Sequence, residues 1–146
     1  MRRVRWRWWT SVLVVLLVGL TACASQSGQT AGEVSKNAAG YVDITVDQLA
    51  SMLENKDFVL VNVHIPYEGE IPNTDLFIPF NEIANNVDKL PDKNARIVLY
   101  CRSGRMSTIA AQTLVSLGYT NVFELDGGFN AWQASGRELL FKQSKS

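Results

Sequence analysis

The segment that begins at Cys101 carries the residue types best suited to covalent chemistry. It continues through two arginines, two serines, a glycine and a methionine: Arg102, Ser103, Gly104, Arg105, Met106 and Ser107. A predicted strand ends at Cys101 and a predicted helix begins near Ser107, so the loop lies at the carboxyl edge of a sheet, where open α/β folds bind ligands. Backbone N–H groups, the positive end of the helix and the arginines all favour a thiolate there. Cys101 is therefore the candidate nucleophile, and residues 102–107 are the candidate anion-binding segment.

The first twenty-three residues have the pattern of an export signal. Four arginines lie within the first seven residues, and the stretch from Trp8 to Ala22 is almost wholly apolar. That stretch is shorter than the roughly 20 apolar residues of a transmembrane helix and is typical of a signal peptide. It ends in Leu20-Thr21-Ala22-Cys23, which resembles a bacterial lipobox and implies removal of residues 1–22 and acylation of Cys23. The alternative is an uncleaved anchor helix, and both interpretations place the remaining chain on the extracytoplasmic side of a cell membrane.

Two interpretations of Cys101 follow from its residue type. Cysteine is among the most deeply buried residue types and is often inert. The chain has only two cysteines, and acylation of Cys23 leaves Cys101 without a partner for an intramolecular disulfide. The glycine and two arginines in the next four residues favour the reactive thiol.

The remaining chain divides into a tether and one domain. Residues 23–40 begin with the acylated cysteine and continue as a small, polar and aperiodic stretch, which predicts a flexible tether. Residues 41–146 have the length of a single globular domain. Beyond the N-terminal arginines the net charge is −4, which argues against nucleic acid as a partner. With a single histidine, His64, and no nucleotide-binding glycine motif, we expect neither a metal nor an organic cofactor.

Hydrophobic patterning predicts alternating strands and helices in the domain. Strands are predicted at 41–44, 58–63, 76–78, 96–100 and 122–125. Helices are predicted after the capping-box pattern of Thr45 and Gln48, from Asn81 to Asn86, over 107–117 and from Gly127 to Ala134. Uninterrupted apolar strands are typical of a sheet covered on both faces. We therefore predict an α/β domain with a mainly parallel sheet flanked by helices on both faces.

Four segments, in order along the chain, resemble motifs of the single-domain rhodaneses. Phe58–Val63 resembles the strand before the family's D-V-R-x-x-x-E-Y stretch, and Gly69–Pro72 resembles G-H-I-P. Cys101–Gly104 matches the C-x-x-G opening of the active-site loop, and Leu125–Trp132 resembles L-x-G-G-x-x-A-W. The resemblance covers nearly all of residues 41–146. It implies a rhodanese-like fold and sulfurtransferase activity.

The resemblance also implies a mechanism. Cys101 takes sulfane sulfur from a small anionic donor such as thiosulfate, forms a persulfide and passes the sulfur to a thiol or to cyanide. The N–H groups from Arg102 to Ser107 stabilise the anionic sulfur, and Arg102 and Arg105 attract the donor. The related phosphatases need Cys-x5-Arg, whereas the sixth residue after Cys101 is Ser107, which argues against phosphoryl transfer.

Several positions depart from the family pattern. The arginine often found at the sixth loop position is replaced by Met106, and Arg105 stands one place earlier. Asn62 and His64 replace the Asp and Arg of D-V-R, and Glu70 replaces the histidine of G-H-I-P. If Glu70 faces the site, it repels an anionic donor. These departures leave the fold prediction intact but leave the identity of the donor and the efficiency open.

Three functions are compatible with these residues. The favoured one is a membrane-tethered extracytoplasmic sulfurtransferase. The departures keep open a rhodanese-fold module that binds or senses sulfur compounds with weak catalysis. The third is a redox sensor that forms a sulfenic acid on Cys101, although no resolving cysteine is present. We expect His64, Asp126, Phe129 and Trp132 to have structural rather than catalytic roles.

Overall fold

Five short strands form one parallel sheet that places Cys101 at its carboxyl edge. The computed structural model describes residues 35–142; the predicted signal peptide, Cys23 and the first part of the tether lie outside the described residues. The strands are β1 (Val42–Ile44), β2 (Val59–Asn62), β3 (Leu76–Phe77), β4 (Ile97–Tyr100) and β5 (Val122–Leu125). Their order is β1-β5-β4-β2-β3, and every pair is parallel. The predicted α/β sheet is confirmed, and Cys101 directly follows its central strand.

Helices cover both faces of the sheet. One face packs against α2 (Arg105–Ser116) and a 3₁₀ helix (Phe80–Lys89), and the other packs against α1 (Val46–Glu54) and α3 (Gly128–Ala134). All four residues of β4 are buried, because alternate side chains point into the two apolar layers. This explains why β4 is a continuous apolar run in the sequence.

The start of α1 agrees with its predicted capping box. Thr45 Oγ1 accepts a hydrogen bond from the Gln48 N–H at 3.3 Å, and Gln48 Oε1 accepts one from the Thr45 N–H at 2.8 Å. These two bonds satisfy backbone donors that the first helical turn leaves unpaired. Leu49 then anchors the helix as its buried residue.

The helix after the Cys101 loop begins two residues earlier than predicted. Gly104 adopts a left-handed backbone conformation, with φ of 97°, and its carbonyl already accepts the Thr108 N–H at 2.9 Å. α2 therefore starts at Arg105 rather than near Ser107. As a result, Arg105 belongs to the first helical turn and not to the loop.

The predicted helix from Asn81 to Asn86 has the wrong boundaries. The segment is the 3₁₀ helix Phe80–Lys89, which is preceded by Pro79 and has no side-chain cap. Its backbone leaves the helical conformation at Asn86, with φ of −122°. Asn81 therefore lies inside the helix, and Ile83 attaches the helix to the core.

Residues 36–40, which the sequence assigns to the tether, contact the domain. The Lys36 ammonium donates to the Thr120 carbonyl at 2.6 Å, and the Asn37 side-chain amide donates to an Asp43 carboxylate oxygen at 2.9 Å. The domain's contacts thus begin earlier than predicted. None of the helices within residues 35–142 has the length and apolar character of a membrane span.

The start of α3 lies directly against the Cys101 loop. The Phe129 N–H donates to the Cys101 carbonyl at 2.9 Å, and the Asn130 N–H donates to the Arg102 carbonyl at 3.0 Å. A Cβ atom on Gly128 would lie 2.2 Å from the Cys101 carbonyl oxygen and 2.7 Å from the Arg102 carbonyl carbon. Because Gly128 also has a positive φ of 55°, both its conformation and its surroundings require glycine.

We expect Gly128→Ala to destabilise the protein much more than Gly136→Ala. Both glycines have positive φ, 55° and 83°, so each alanine costs roughly 1–2 kcal/mol of backbone strain. A Cβ on Gly136 meets nothing within 4 Å, whereas a Cβ on Gly128 must displace the Cys101 loop and costs roughly 1–3 kcal/mol more. Thermal unfolding should therefore give a Tm several degrees lower for Gly128→Ala. Equal Tm values would contradict the close approach of α3 to the loop.

Candidate active site

One hydrogen-bond donor from the loop and one from the first turn of α2 contact the Cys101 sulfur. The Gly104 N–H donates to Sγ at 3.2 Å, and the Ser107 hydroxyl oxygen lies 3.4 Å from Sγ. Cys101 is only 2% exposed, so these protein donors replace water around the sulfur. Together with the positive end of α2, they can stabilise a negative charge on sulfur.

A small pocket opens onto Cys101. Its volume is about 140 Å³, which suits a small anion better than a drug-sized or larger ligand. Its walls are formed by His64, Cys101, Arg102, Ser103, Arg105 and Met106. The pocket thus brings together five of the seven residues predicted between Cys101 and Ser107, and the other two contact the sulfur directly. Within residues 35–142, no group of three or more His, Cys, Asp or Glu side chains is placed to hold a metal ion.

His64 lies in the pocket wall, a position that the sequence analysis did not predict. It is 4% exposed, its Nε2 lies 2.9 Å from Glu68 Oε2, and its ring packs edge-on against Phe129. β2 and β4 are adjacent in the sheet, with Asn62 opposite Tyr100. The residues that follow these two strand ends, His64 and Cys101 among them, therefore lie at the same edge of the sheet. His64 lies beside the loop because β2 and β4 are neighbours, and this order is known only from the structure.

The two arginines of the site have different surroundings. Arg102 is half-exposed and lies 3.2 Å from Glu68 Oε2. The hydrogen bond from His64, assisted by the charge of Arg102, lowers the pKa of Glu68, so Glu68 stays ionised and offsets part of the charge of Arg102. Among the residues described, Arg105 forms no ion pair. Its charge is therefore not offset by an ion pair and is available to an anion in the pocket.

Two of the departures from the family pattern do not line the pocket. The Asn62 amide donates to the Gly69 carbonyl at 3.0 Å, and its oxygen accepts the His64 N–H at 3.0 Å. Asn62 thus shapes the chain after β2. Glu70 is buried, and its Oε2 lies 3.0 Å from the Lys142 ammonium. Glu70 therefore does not line the pocket and is not placed to repel an anionic donor there.

Glu124, a buried carboxyl group next to the site, is not among the residues predicted from the sequence. Glu124 lies on β5, is 3% exposed and accepts a hydrogen bond from the Ser107 hydroxyl at 2.5 Å. Burial raises the pKa of Glu124 to about 7, the Ser107 bond opposes this, and the charges of Asp43 and Asp126 add to the rise. An acidic residue within an otherwise apolar strand is the signal that could have found it.

We expect Glu124→Gln to reduce the loss of stability as the pH rises. The pKa of Glu124 lies at about 7 in the folded protein, above its ordinary value of 4.5. The stability it contributes is therefore fully present below pH 4.5 and is lost as the pH rises through about 7. This loss, on the order of 3 kcal/mol, does not occur with a neutral amide.

Thermal midpoints measured between pH 5 and 8 test this expectation. The Tm of the Glu124→Gln protein should fall less than that of the wild type. Asp88→Asn, at an exposed position of the 3₁₀ helix, should follow the wild type. Parallel curves for the wild type and Glu124→Gln would contradict the raised pKa.

Comparison with known proteins agrees with this fold. Residues 45–135 match the Rhodanese-like domain family. A sulfurtransferase of Allochromatium vinosum is 35% identical over 102 residues, which cover 67% of this chain and 94% of that protein. The thiosulfate sulfurtransferase GlpE of Pseudoalteromonas translucida is 32% identical over 103 residues, which cover 68% and 96% of the two chains.

A solved structure also resembles this chain. The rhodanese-like domain protein of Staphylococcus aureus is 32% identical, with a TM-score of 0.59 over 69% of this chain and 98% of that one. The family match runs from the start of α1 to the end of α3 and includes strands β2 to β5 and the Cys101 loop. The chain belongs to the rhodanese-like domain family.

Proposed function

We propose that the chain is a sulfurtransferase in which Cys101 carries sulfane sulfur as a persulfide. The observation that carries the proposal is the contact of the Gly104 N–H and the Ser107 hydroxyl with Cys101 Sγ at a small pocket. These donors can stabilise anionic sulfur both as thiolate and as persulfide. Two relatives, a sulfurtransferase and a thiosulfate sulfurtransferase, support the same reaction class.

The proposed cycle has two displacement steps. The Cys101 thiolate attacks the outer sulfur of a thiosulfate-like donor; a bond forms between Sγ and that sulfur, the S–S bond of the donor breaks, and sulfite leaves with the electron pair. An acceptor thiolate, or cyanide in an assay, then attacks the outer sulfur of the persulfide, and Cys101 leaves as the thiolate. The two steps balance without a further reactant.

The charges around the pocket support a small anionic donor. Arg105 lies in the first turn of α2, so its charge adds to the positive end of that helix. Arg102 shares its charge with Glu68, and Met106 gives the wall an apolar side chain. The donor is therefore held by fewer free charges than the loop sequence alone suggests. This feature also favours the second candidate function, a rhodanese-fold module that binds or senses sulfur compounds with weak catalysis.

We also propose that the domain is exported and lipid-anchored through Cys23. The support is the sequence: basic residues, an apolar run and the tetrapeptide Leu20-Thr21-Ala22-Cys23. The family match begins at residue 45, so this segment lies outside the matched domain. In the proposed arrangement, the acyl groups hold the sulfurtransferase domain at the extracytoplasmic surface of the membrane.

Incubation of the protein with thiosulfate should add one sulfur atom to Cys101. Intact mass should rise by one sulfur, the tryptic peptide Ile97–Arg102, in which Cys101 is the only cysteine, should carry it, and cyanide should remove it. Cys101→Ser should gain no sulfur, whereas Cys23→Ser should load like the wild type. Unchanged sulfur transfer by Cys101→Ser would refute the proposal. An unloaded wild type whose Cys101 still reacts with iodoacetamide would favour the binding module.

The lipid anchor can be tested by fatty-acid labelling in a bacterial host. The wild type should incorporate labelled palmitate and sediment with membranes. Cys23→Ser should lose the label, whereas Cys101→Ser should keep it. A wild-type protein without label would contradict acylation of Cys23 and leave the uncleaved anchor helix as the explanation of the apolar run.

A further inference from the structure

A chain of contacts connects Cys101 to the buried carboxyl group of Glu124. The Ser107 hydroxyl oxygen lies 3.4 Å from Cys101 Sγ, 3.0 Å from the Gly104 carbonyl oxygen and 2.5 Å from Glu124 Oε1. Ser107 is fully buried and Glu124 is 3% exposed, so water competes little for these groups. A hydroxyl has one hydrogen and can donate it to only one of the three acceptors at a time.

The direction of the Ser107 hydroxyl therefore depends on the protonation of Glu124. When Glu124 is a carboxylate, the short charge-assisted bond takes the Ser107 proton, and the Cys101 sulfur loses this donor. When Glu124 is protonated, its own O–H can donate to Ser107 Oγ, and the Ser107 hydroxyl is free to donate to the sulfur. The first arrangement suits a thiol and the second suits a thiolate.

Building on the proposed function, we propose that Glu124, acting through Ser107, is a positioning residue that holds the proton released when Cys101 becomes a thiolate. The proton of the Cys101 thiol moves to Ser107 Oγ, and the proton of Ser107 moves to the Glu124 carboxylate. Both shifts together keep one negative charge on the three groups. The buried site thus avoids holding a thiolate and a carboxylate at the same time.

The charged groups around Glu124 fit this role. Asp43 on β1 is its register partner, Asp126 follows β5, and both line a cleft with Glu124 and with Arg105 of α2. Burial and then these two acidic neighbours hold the pKa of Glu124 at about 7, against the opposing effect of the bond from Ser107. A carboxyl group with this pKa exchanges protons near neutral pH, where a base of such strength is most effective.

The test is the rate at which iodoacetamide alkylates Cys101 in the full-length protein, followed between pH 5 and 9 through the mass of peptide Ile97–Arg102. Glu124→Gln keeps the size of the side chain, and its amide can donate to Ser107 at every pH. The variant should match the wild type at pH 5, where Glu124 is protonated. At pH 8 it should react about two- to tenfold faster, because ionised Glu124 then draws the Ser107 proton away in the wild type.

Two further variants separate this relay from a simple effect of charge. Asp126→Asn removes a neighbouring negative charge without touching Ser107, and it should accelerate alkylation much less than Glu124→Gln. In a Ser107→Ala background, adding Glu124→Gln should change the rate at pH 8 little. An equal acceleration by Asp126→Asn, or the same rate profile for Glu124→Gln and wild type, would overturn the proposal.

The alkylation rates test the relay independently of the proposed sulfurtransferase function. Alkylation reports on the thiol alone, so a protein that never forms a persulfide would contradict the sulfurtransferase proposal without altering this test. If Glu124→Gln does not fold, the Ser107→Ala variant provides the test. Because Cys101 then has no link to Glu124, the pH profile of the alkylation rate should follow one ionisation, that of the Cys101 thiol. A profile identical to that of the wild type would overturn the proposal.

Discussion

The hydrogen bonds between the start of α3 and the Cys101 loop hold the conformation on which the site depends. The N–H groups of Phe129 and Asn130 bind the carbonyl oxygens of Cys101 and Arg102, and only glycine at position 128 leaves room for this approach. With these carbonyls held by α3, the chain turns through Gly104, whose N–H points to the sulfur. The terminal helix is therefore part of the active-site architecture.

The site joins three neighbouring strands at one edge of the sheet. Cys101 follows β4, His64 follows β2, and Glu124 belongs to β5. The Gly104 N–H and the Ser107 hydroxyl contact the buried sulfur in place of water, and Arg105 supplies a cation that forms no ion pair in the described domain. The same burial that protects the sulfur raises the pKa of Glu124. In the proposed relay, the Cys101 thiol and the Glu124 carboxyl group therefore carry one negative charge between them.

The sequence predicted features that depend on local or periodic patterns. Apolar runs predicted the parallel sheet and both covered faces, and Thr45 with Gln48 predicted the start of α1. Features that depend on distant contacts were missed. The partner of Ser107 lies 17 residues away, and His64 reaches the pocket only because β2 and β4 are neighbours. The early start of α2 follows from the left-handed conformation of Gly104, which residue type permits but does not impose.

The proposed function requires this loop to hold sulfur on Cys101 as an anion. A crystal structure of the thiosulfate-treated protein would show whether it does. We expect one additional sulfur atom bonded to Cys101 Sγ and within hydrogen-bond distance of the loop N–H groups, with the loop still bound to the start of α3. Density for an unmodified Cys101 in protein that turns over thiosulfate, or a sulfur atom bound to any other residue, would contradict it.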